Sequence, residues 1–317
     1  MLIDAISRAL EFAGLLHRDA KRTPGQFLEG SYSDSAGNLS YKLYIPARIR
    51  GRRTSLLVML HACGQTPEDF ATGTRMNDLA DEHGLLVVYP AQSAAANVFT
   101  CWNWFLGKDQ AREAGEPALI AGIARQVALE HAVEAQRTFI AGLSAGGAMA
   151  VVLGATYPDL FSAVGVHSGL PYRAAHDAAS AMAVMRGGAL QPRSTGVTQA
   201  IPTIVFHGDR DTTVDIGNGS AIVDGAVFDA ERDLGPLRKA VQEGISGDGR
   251  SYTATTYHAS QTASFVEYWV LHGAGHAWSG GYSKGSYTDE SGPDASVEMV
   301  RFFLVRRPRR WPRRLAA

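Results

Sequence analysis

The chain has 317 residues, 45% hydrophobic and 19% charged, with 34 Gly and 13 Pro, an ordinary globular composition with room for one sizeable core. A formal net charge of -1 gives no general attraction to nucleic acid. No apolar run approaches the roughly 20 residues of a membrane span, so a soluble protein with no nucleic-acid partner is expected.

The N-terminal residues 1–16 lack a basic n-region and carry Asp4 and Glu11 among their apolar positions, which reads as a short amphipathic helix and not as a secretory signal. Residues 1–28 are therefore set apart as a helical extension, 29–305 as one domain, and 306–317 as a tail. That tail holds six arginines between Arg306 and Arg314, broken by Pro308 and Pro312, and is expected to be solvated and disordered. Residues 39–45 alternate apolar and polar, as an edge strand does; 55–60 and 85–89 are near-continuous apolar runs that fit strands buried on both faces. Between them Met76, Leu79, Ala80 and His83 fall at helical spacing, with Gly84 as the C-terminal cap.

A second helix starts at Pro117 and runs to about residue 131. Residues 138–141 form a short strand, and 145–157, rich in Ala, Met, Val and Leu, a buried helix ended by Pro158. Further strands are expected at 163–166, 201–206 and 265–271, and a last helix at 293–304. Residues 171–200 and 217–250 have weaker patterns and are read as excursions over the sheet edge. Strands alternating with helices predict an α/β fold with a mainly parallel sheet.

The strand and helix around residue 144 frame Gly142-Leu143-Ser144-Ala145-Gly146. Glycines two positions either side of a serine permit a sharp strand-to-helix turn that exposes the hydroxyl as a nucleophile. A serine needs a base and a group to orient that base. The stretch from Ile201 to Val214 offers Asp209 and Asp211 just past a strand; its Asp-x-Asp-x-x-Val after His207-Gly208 resembles the acid turn of the α/β-hydrolase superfamily, which implies Asp211 as the acid and leaves Asp209 as a turn cap. Beyond the last strand, His276 lies on a Gly-rich loop and is taken as the base, while His207 and His272, at strand ends, read as structural. Ser, Asp and His follow one another in the order of an α/β-hydrolase. The amides of Ala145 and of Cys63, in the loop after an early strand, are the expected oxyanion donors. Trp102, Trp104 and Trp278 are candidate substrate-binding residues. The two cysteines make neither a disulfide-rich scaffold nor a four-ligand zinc site, and the chemistry needs no metal or organic cofactor.

These motifs, with Leu60-His-Ala-Cys-Gly-Gln65, Cys101-Trp-Asn-Trp-Phe105, Gly115-Glu-Pro117, Gly142 to Met149, Gly275-His-Ala-Trp278 and the pair Gly285-Ser-Tyr-Thr-Asp289 and Gly292-Pro-Asp-Ala295, span roughly residues 30–305. Together they resemble the polyhydroxybutyrate depolymerase family of α/β-hydrolase esterases, which is related to feruloyl and acetylxylan esterases. One departure is Ala62, where the family commonly has glycine. The resemblance implies a triad of Ser144, Asp211 and His276, oxyanion donation from Cys63 and Ala145, and a polyester, oligomer or short acyl ester as substrate. Alternatives are a feruloyl or acetylxylan esterase, or a non-catalytic binding scaffold, against which stand three filled triad positions. It also implies a Cys63–Cys101 bond, which would close a loop of about 38 residues and contribute roughly 4 kcal/mol. Such a bond points to an extracellular or periplasmic setting, whereas the chain as written, without an export signal, points to the cytoplasm.

Overall fold

The computed structural model describes residues 25–48, 54–187, 197–260 and 263–305. The expected N-terminal helix and the Arg-rich tail fall outside these residues. The first described strand, β1 (Gln26–Asp34), pairs antiparallel with β2 (Gly37–Ile45). Then come β3 (Leu56–Leu60), α1 (Pro67–Thr74), α2 (Met76–His83), β4 (Leu86–Ala91), a 3-10 turn (Gly107–Gln110), α3 (Gly115–Glu130), β5 (Thr138–Leu143) and α4 (Ala145–Thr156). The chain continues with β6 (Val164–His167), α5 (Ala178–Gly187), β7 (Thr203–Gly208), α6 (Ile216–Leu234), β8 (Arg238–Ile245), β9 (Ser251–His258) and β10 (Val266–Leu271). Two short strands, β11 (Trp278–Ser279) and β12 (Thr288–Asp289), precede the final helix α7 (Ala295–Leu304).

Among the described residues the main sheet has ten strands in the order β1-β2-β4-β3-β5-β6-β7-β10-β9-β8. Its centre, from β4 to β10, is parallel, and each flank is antiparallel. The central strands obey the period of two: Leu56, Val58 and Leu60 face one apolar layer with α3, α4 and α6, while Leu57 and Met59 face the other with α1, α2 and α7. Each such fully buried side chain contributes about 1.5–3 kcal/mol, which is why a continuous apolar run reads correctly as a central strand.

Of the excursions expected at 171–200 and 217–250, the described part of the first carries the helix α5, and the second is mostly regular structure. Residues 216–234 form the long helix α6, started by the Asp215 side chain accepting from Gly217 N–H at 2.8 Å. Its glycines obscure the helical pattern, and Gly219 is one of them because a Cβ there would press on the His207 ring. Strands β8 and β9 extend the sheet through backbone pairing, with mostly exposed or half-buried side chains that leave little hydrophobic signal.

Candidate active site

Strand β5 ends at Leu143 and α4 begins at Ala145, so Ser144 makes the whole turn, with φ 57° and ψ -121°. A serine in this region is strained, and the surrounding backbone must hold it there. It does: Ser144 N–H donates to His167 O at 2.9 Å, and Ser144 O accepts from Ala148 N–H at 2.9 Å. A Cβ on Gly142 would collide with the Gly146 carbonyl, and one on Gly146 with the Leu60 and His61 carbonyls. Gly142 is therefore demanded by the close approach of α4 to β5, and Gly146 by that of α4 to the end of β3 and the start of the loop after it.

Strands β7 and β10 run in parallel with Leu271 opposite Gly208, so the loops that follow them leave the same edge of the sheet as Ser144. Two Asp–His pairs form there. Asp211 Oδ2 meets His276 Nδ1 at 2.7 Å, and Asp209 Oδ2 meets His272 Nδ1 at 2.9 Å. Their surroundings differ: the Asp211 and His276 side chains are 0% and 11% exposed, those of Asp209 and His272 33% and 40%. Asp211 Oδ1 also accepts the amides of Thr213 and Val214 at 2.9 and 2.8 Å. Burial pushes the Asp211 carboxyl up, but the hydrogen bond and charge of His276 and the Val214 amide outweigh it and hold the group at about 2. An ionised Asp211 makes His276 Nδ1 a donor and leaves Nε2 as the acceptor a general base requires.

Asp209 accepts from Gly273 N–H at 2.7 Å, and His272 Nε2 meets Thr253 Oγ1 at 2.9 Å, which ties this outer pair to the loop and to β9. His207 is fully buried and donates from Nε2 to Val214 O at 2.8 Å, so it braces the turn that carries Asp211.

The loop after β3 is fixed by side chains. Gln65 Oε1 accepts from Ala62 N–H at 2.9 Å, while Gln65 Nε2 donates to Asp69 Oδ2 and to Ser286 O at 3.1 and 2.9 Å. Gly64 N–H donates to Phe99 O at 2.9 Å. Among the described residues the Cys63 amide has no acceptor, and the Ala145 amide belongs to the first turn of α4, whose N–H groups have none within the helix. The Ala62 methyl packs into the apolar layer under α1. Cys63 and Cys101 are joined by a disulfide with Cα atoms 4.2 Å apart.

The three tryptophans expected to touch substrate are buried in the structure. Trp102 and Trp278 are 0% exposed and Trp104 4%, so they present almost no surface to a substrate. Trp102 Nε1 donates to His61 O at 3.1 Å and Trp278 Nε1 to Ser296 Oγ at 3.0 Å; inward placement satisfies both indoles. The exposed apolar groups near the loop are Val98 and Phe99, 78% and 74% exposed.

Sequence reasoning missed His61, Gln65, Gln92 and His167. His167 accepts from Ser279 N–H at Nε2, 3.1 Å away, and stacks on Trp278 and Phe206. Burial, with help from His207 and His276, pushes it down to about 3, so it stays neutral and links the serine turn to the segment after His276. Strand-end position was a signal for His61 and His167; nothing local marked the glutamines. Among the described residues no cluster of His, Cys, Asp and Glu could hold a metal ion, and no helix is long and apolar enough to cross a membrane.

A mostly parallel sheet with a strained serine at the end of β5 and an Asp–His pair beyond β7 and β10 defines the α/β-hydrolase class. Consistent with that, an acetyl xylan esterase from Aspergillus awamori superimposes with a TM-score of 0.69 at 17% identity, over 88% of this chain and 100% of the other. The family model for esterase PHB depolymerase matches residues 39–227, and the chain belongs to that family. Its relatives are carboxylic ester hydrolases. Poly(3-hydroxyalkanoate) depolymerase C of Paucimonas lemoignei is 28% identical over 258 residues, covering 78% of this chain and 60% of its own length. Feruloyl esterase B of Neurospora crassa is 29% identical over 152 residues, 48% of this chain and 51% of its own length. The chain thus spans about half to three fifths of the length of these relatives.

Proposed function

We propose that this protein is a serine esterase acting on hydroxyalkanoate polyester or its oligomers and on short acyl esters. The observation that carries the reading is the buried Asp211–His276 hydrogen bond of 2.7 Å at the sheet edge where the strained Ser144 turn sits. Ser144 Oγ attacks the ester carbonyl carbon while its proton passes to His276 Nε2; Asp211 holds the imidazolium that results. The carbonyl oxygen, now an anion, is met by the Cys63 and Ala145 N–H groups and by the positive end of α4. The alcohol leaves with the proton from His276. Water then attacks the acyl-enzyme by the same route, releasing the acid and restoring Ser144.

Two features support a polyester. The likeness to the poly(3-hydroxyalkanoate) depolymerase extends over 78% of the chain, against 48% for the feruloyl esterase, and the exposed Val98–Phe99 pair beside the Cys63 loop offers an apolar contact for a polymer chain. The second reading, an esterase for acetyl or feruloyl groups on polysaccharide, is supported by the superposition on an acetyl xylan esterase. The disulfide supports an oxidising compartment, extracellular or periplasmic.

Hydrolysis of p-nitrophenyl butyrate by the wild type and by Ser144→Ala tests the chemistry, with kcat expected to fall on the order of 10⁴-fold or more. Unchanged turnover in the alanine variant ends the proposal. Product analysis with hydroxybutyrate oligomers, acetylated xylan and methyl ferulate then separates the two readings: release from the oligomers alone is expected.

A further inference from the structure

The ester chemistry gives no task to Gly115-Glu116-Pro117. Glu116, in the first turn of α3, is only 7% exposed, yet it carries a carboxylate. Its Oε1 accepts from Gln92 Nε2 at 2.5 Å and Asn103 Nδ2 at 2.6 Å, and its Oε2 from Asn103 N–H at 2.8 Å. Gln92 and Asn103 are the two ends of the excursion that follows β4. One carboxylate closes that excursion at its base.

The excursion in turn grips the loop after β3. It carries Cys101, bonded to Cys63, and Phe99, whose carbonyl accepts from Gly64 N–H. Gln92 N–H donates to His61 Nε2 at 3.1 Å, which makes His61 Nδ1 the donor to Ala62 O at 2.8 Å. Gln92 Nε2 also reaches Cys101 O at 2.9 Å. The contacts on the Cys63 peptide from this side thus converge on Glu116.

The residues beside Glu116 serve the same end. Asp109 Oδ1 accepts from Glu116 N–H at 2.8 Å, and a Cβ on Gly115, whose φ is 53°, would collide with that oxygen. Pro117 sits in the first turn, where a missing N–H costs nothing. Burial and the neighbouring Asp109 push Glu116 up to about 7, so keeping a carboxylate here is unfavourable unless its three donors matter.

We propose that Glu116 is the positioning residue of the oxyanion loop, holding the Cys63 N–H in place through Gln92 and His61 on one side and through Asn103, Cys101 and the disulfide on the other. This rests on the reading of Cys63 as an oxyanion donor. Glu116 acts through these residues and touches no substrate.

Glu116→Gln keeps the volume but replaces one acceptor oxygen by a donor, so the three donors can no longer all be met. With p-nitrophenyl butyrate, kcat is expected to fall about 10- to 100-fold, the cost of a small misplacement, while KM stays within about threefold. Inhibition by an aryl trifluoromethyl ketone, whose hemiketal oxyanion uses the same amides, should weaken in proportion to kcat/KM. A folded variant with a lowered Tm but unchanged kcat and inhibition overturns the inference. If Glu116→Gln does not fold, Gln92→Leu cuts one of the two arms and is expected to lower kcat and inhibition together; unchanged values there overturn it equally. Ser144→Ala measured in parallel keeps the outcomes apart: an active Ser144→Ala sinks the esterase reading itself, whereas an inactive one beside a fully active Glu116→Gln sinks only this inference.

Discussion

At the scale of single residues, the two neighbouring Asp–His pairs make a controlled comparison. Both have a hydrogen bond of similar length, 2.7 and 2.9 Å, and they differ in burial. Asp211 is sealed from water and can orient His276 and stabilise its cation, whereas the Asp209–His272 pair is solvated, and exposed pairs are worth about 0–1 kcal/mol. Asp211→Asn should lower kcat on the order of 10³- to 10⁴-fold, because the amide can stabilise the wrong tautomer and carries no charge. Asp209→Asn should leave kcat within about threefold of wild type, as most surface changes do. Equal losses in steady-state assays of the two variants would contradict this assignment. The aspartates were legible in the sequence because they follow an apolar strand at a turn. The inward placement of the tryptophans was not legible, because proximity in sequence to the site says nothing of direction; the indole N–H groups of Trp102 and Trp278 found partners inside.

At the scale of elements, the strand–turn–helix from β5 to α4 was legible because its apolar runs, its two glycines and its serine all agree on one geometry. The long helix α6 and the flanking strands β8 and β9 were not. The helix carries glycines where it must close on His207, and the strands rely on backbone pairing more than on buried side chains. Gln65 shows the same limit differently: its partner Ser286 is 221 residues away, and no local pattern announces such a contact. The serine turn also yields a prediction. In Gly146→Ala the new methyl would meet the carbonyl oxygens of Leu60 and His61, which are backbone and cannot rotate away. The helix must then move off the loop that carries Cys63, separating the two expected oxyanion amides. Destabilisation of about 3 kcal/mol or more is expected by chemical denaturation, together with loss of most ester turnover. A variant of wild-type stability and kcat would show that the turn is looser than its geometry indicates.

At the scale of the whole molecule, buried titrating groups pull stability in opposite directions as pH changes. His167 is held at about 3, below its ordinary 6.5, so it stabilises the fold above pH 6.5 and that contribution is lost as pH falls toward 3. His61 and His207 are lowered by burial too and act in the same sense. Asp211, at about 2 against an ordinary 3.8, stabilises above pH 3.8 and loses its effect as pH falls through 2. Glu116 runs the other way. Raised from 4.5 to about 7, chiefly by burial, its contribution is fully present below pH 4.5 and lost as pH rises through 7. At 1.36 kcal/mol per pKa unit, that is about 3 kcal/mol regained by the wild type between pH 7 and 4.5, which offsets what His167 loses over much of the same window. Glu116→Gln removes the compensating group and leaves the histidines. Its unfolding free energy should therefore drop by about 3 kcal/mol more than that of the wild type between pH 7 and 4.5, whatever its stability at pH 7. Urea denaturation of both proteins across this range measures the difference in slope directly; parallel curves would mean that Glu116 is already charged throughout, held by its three donors against its burial.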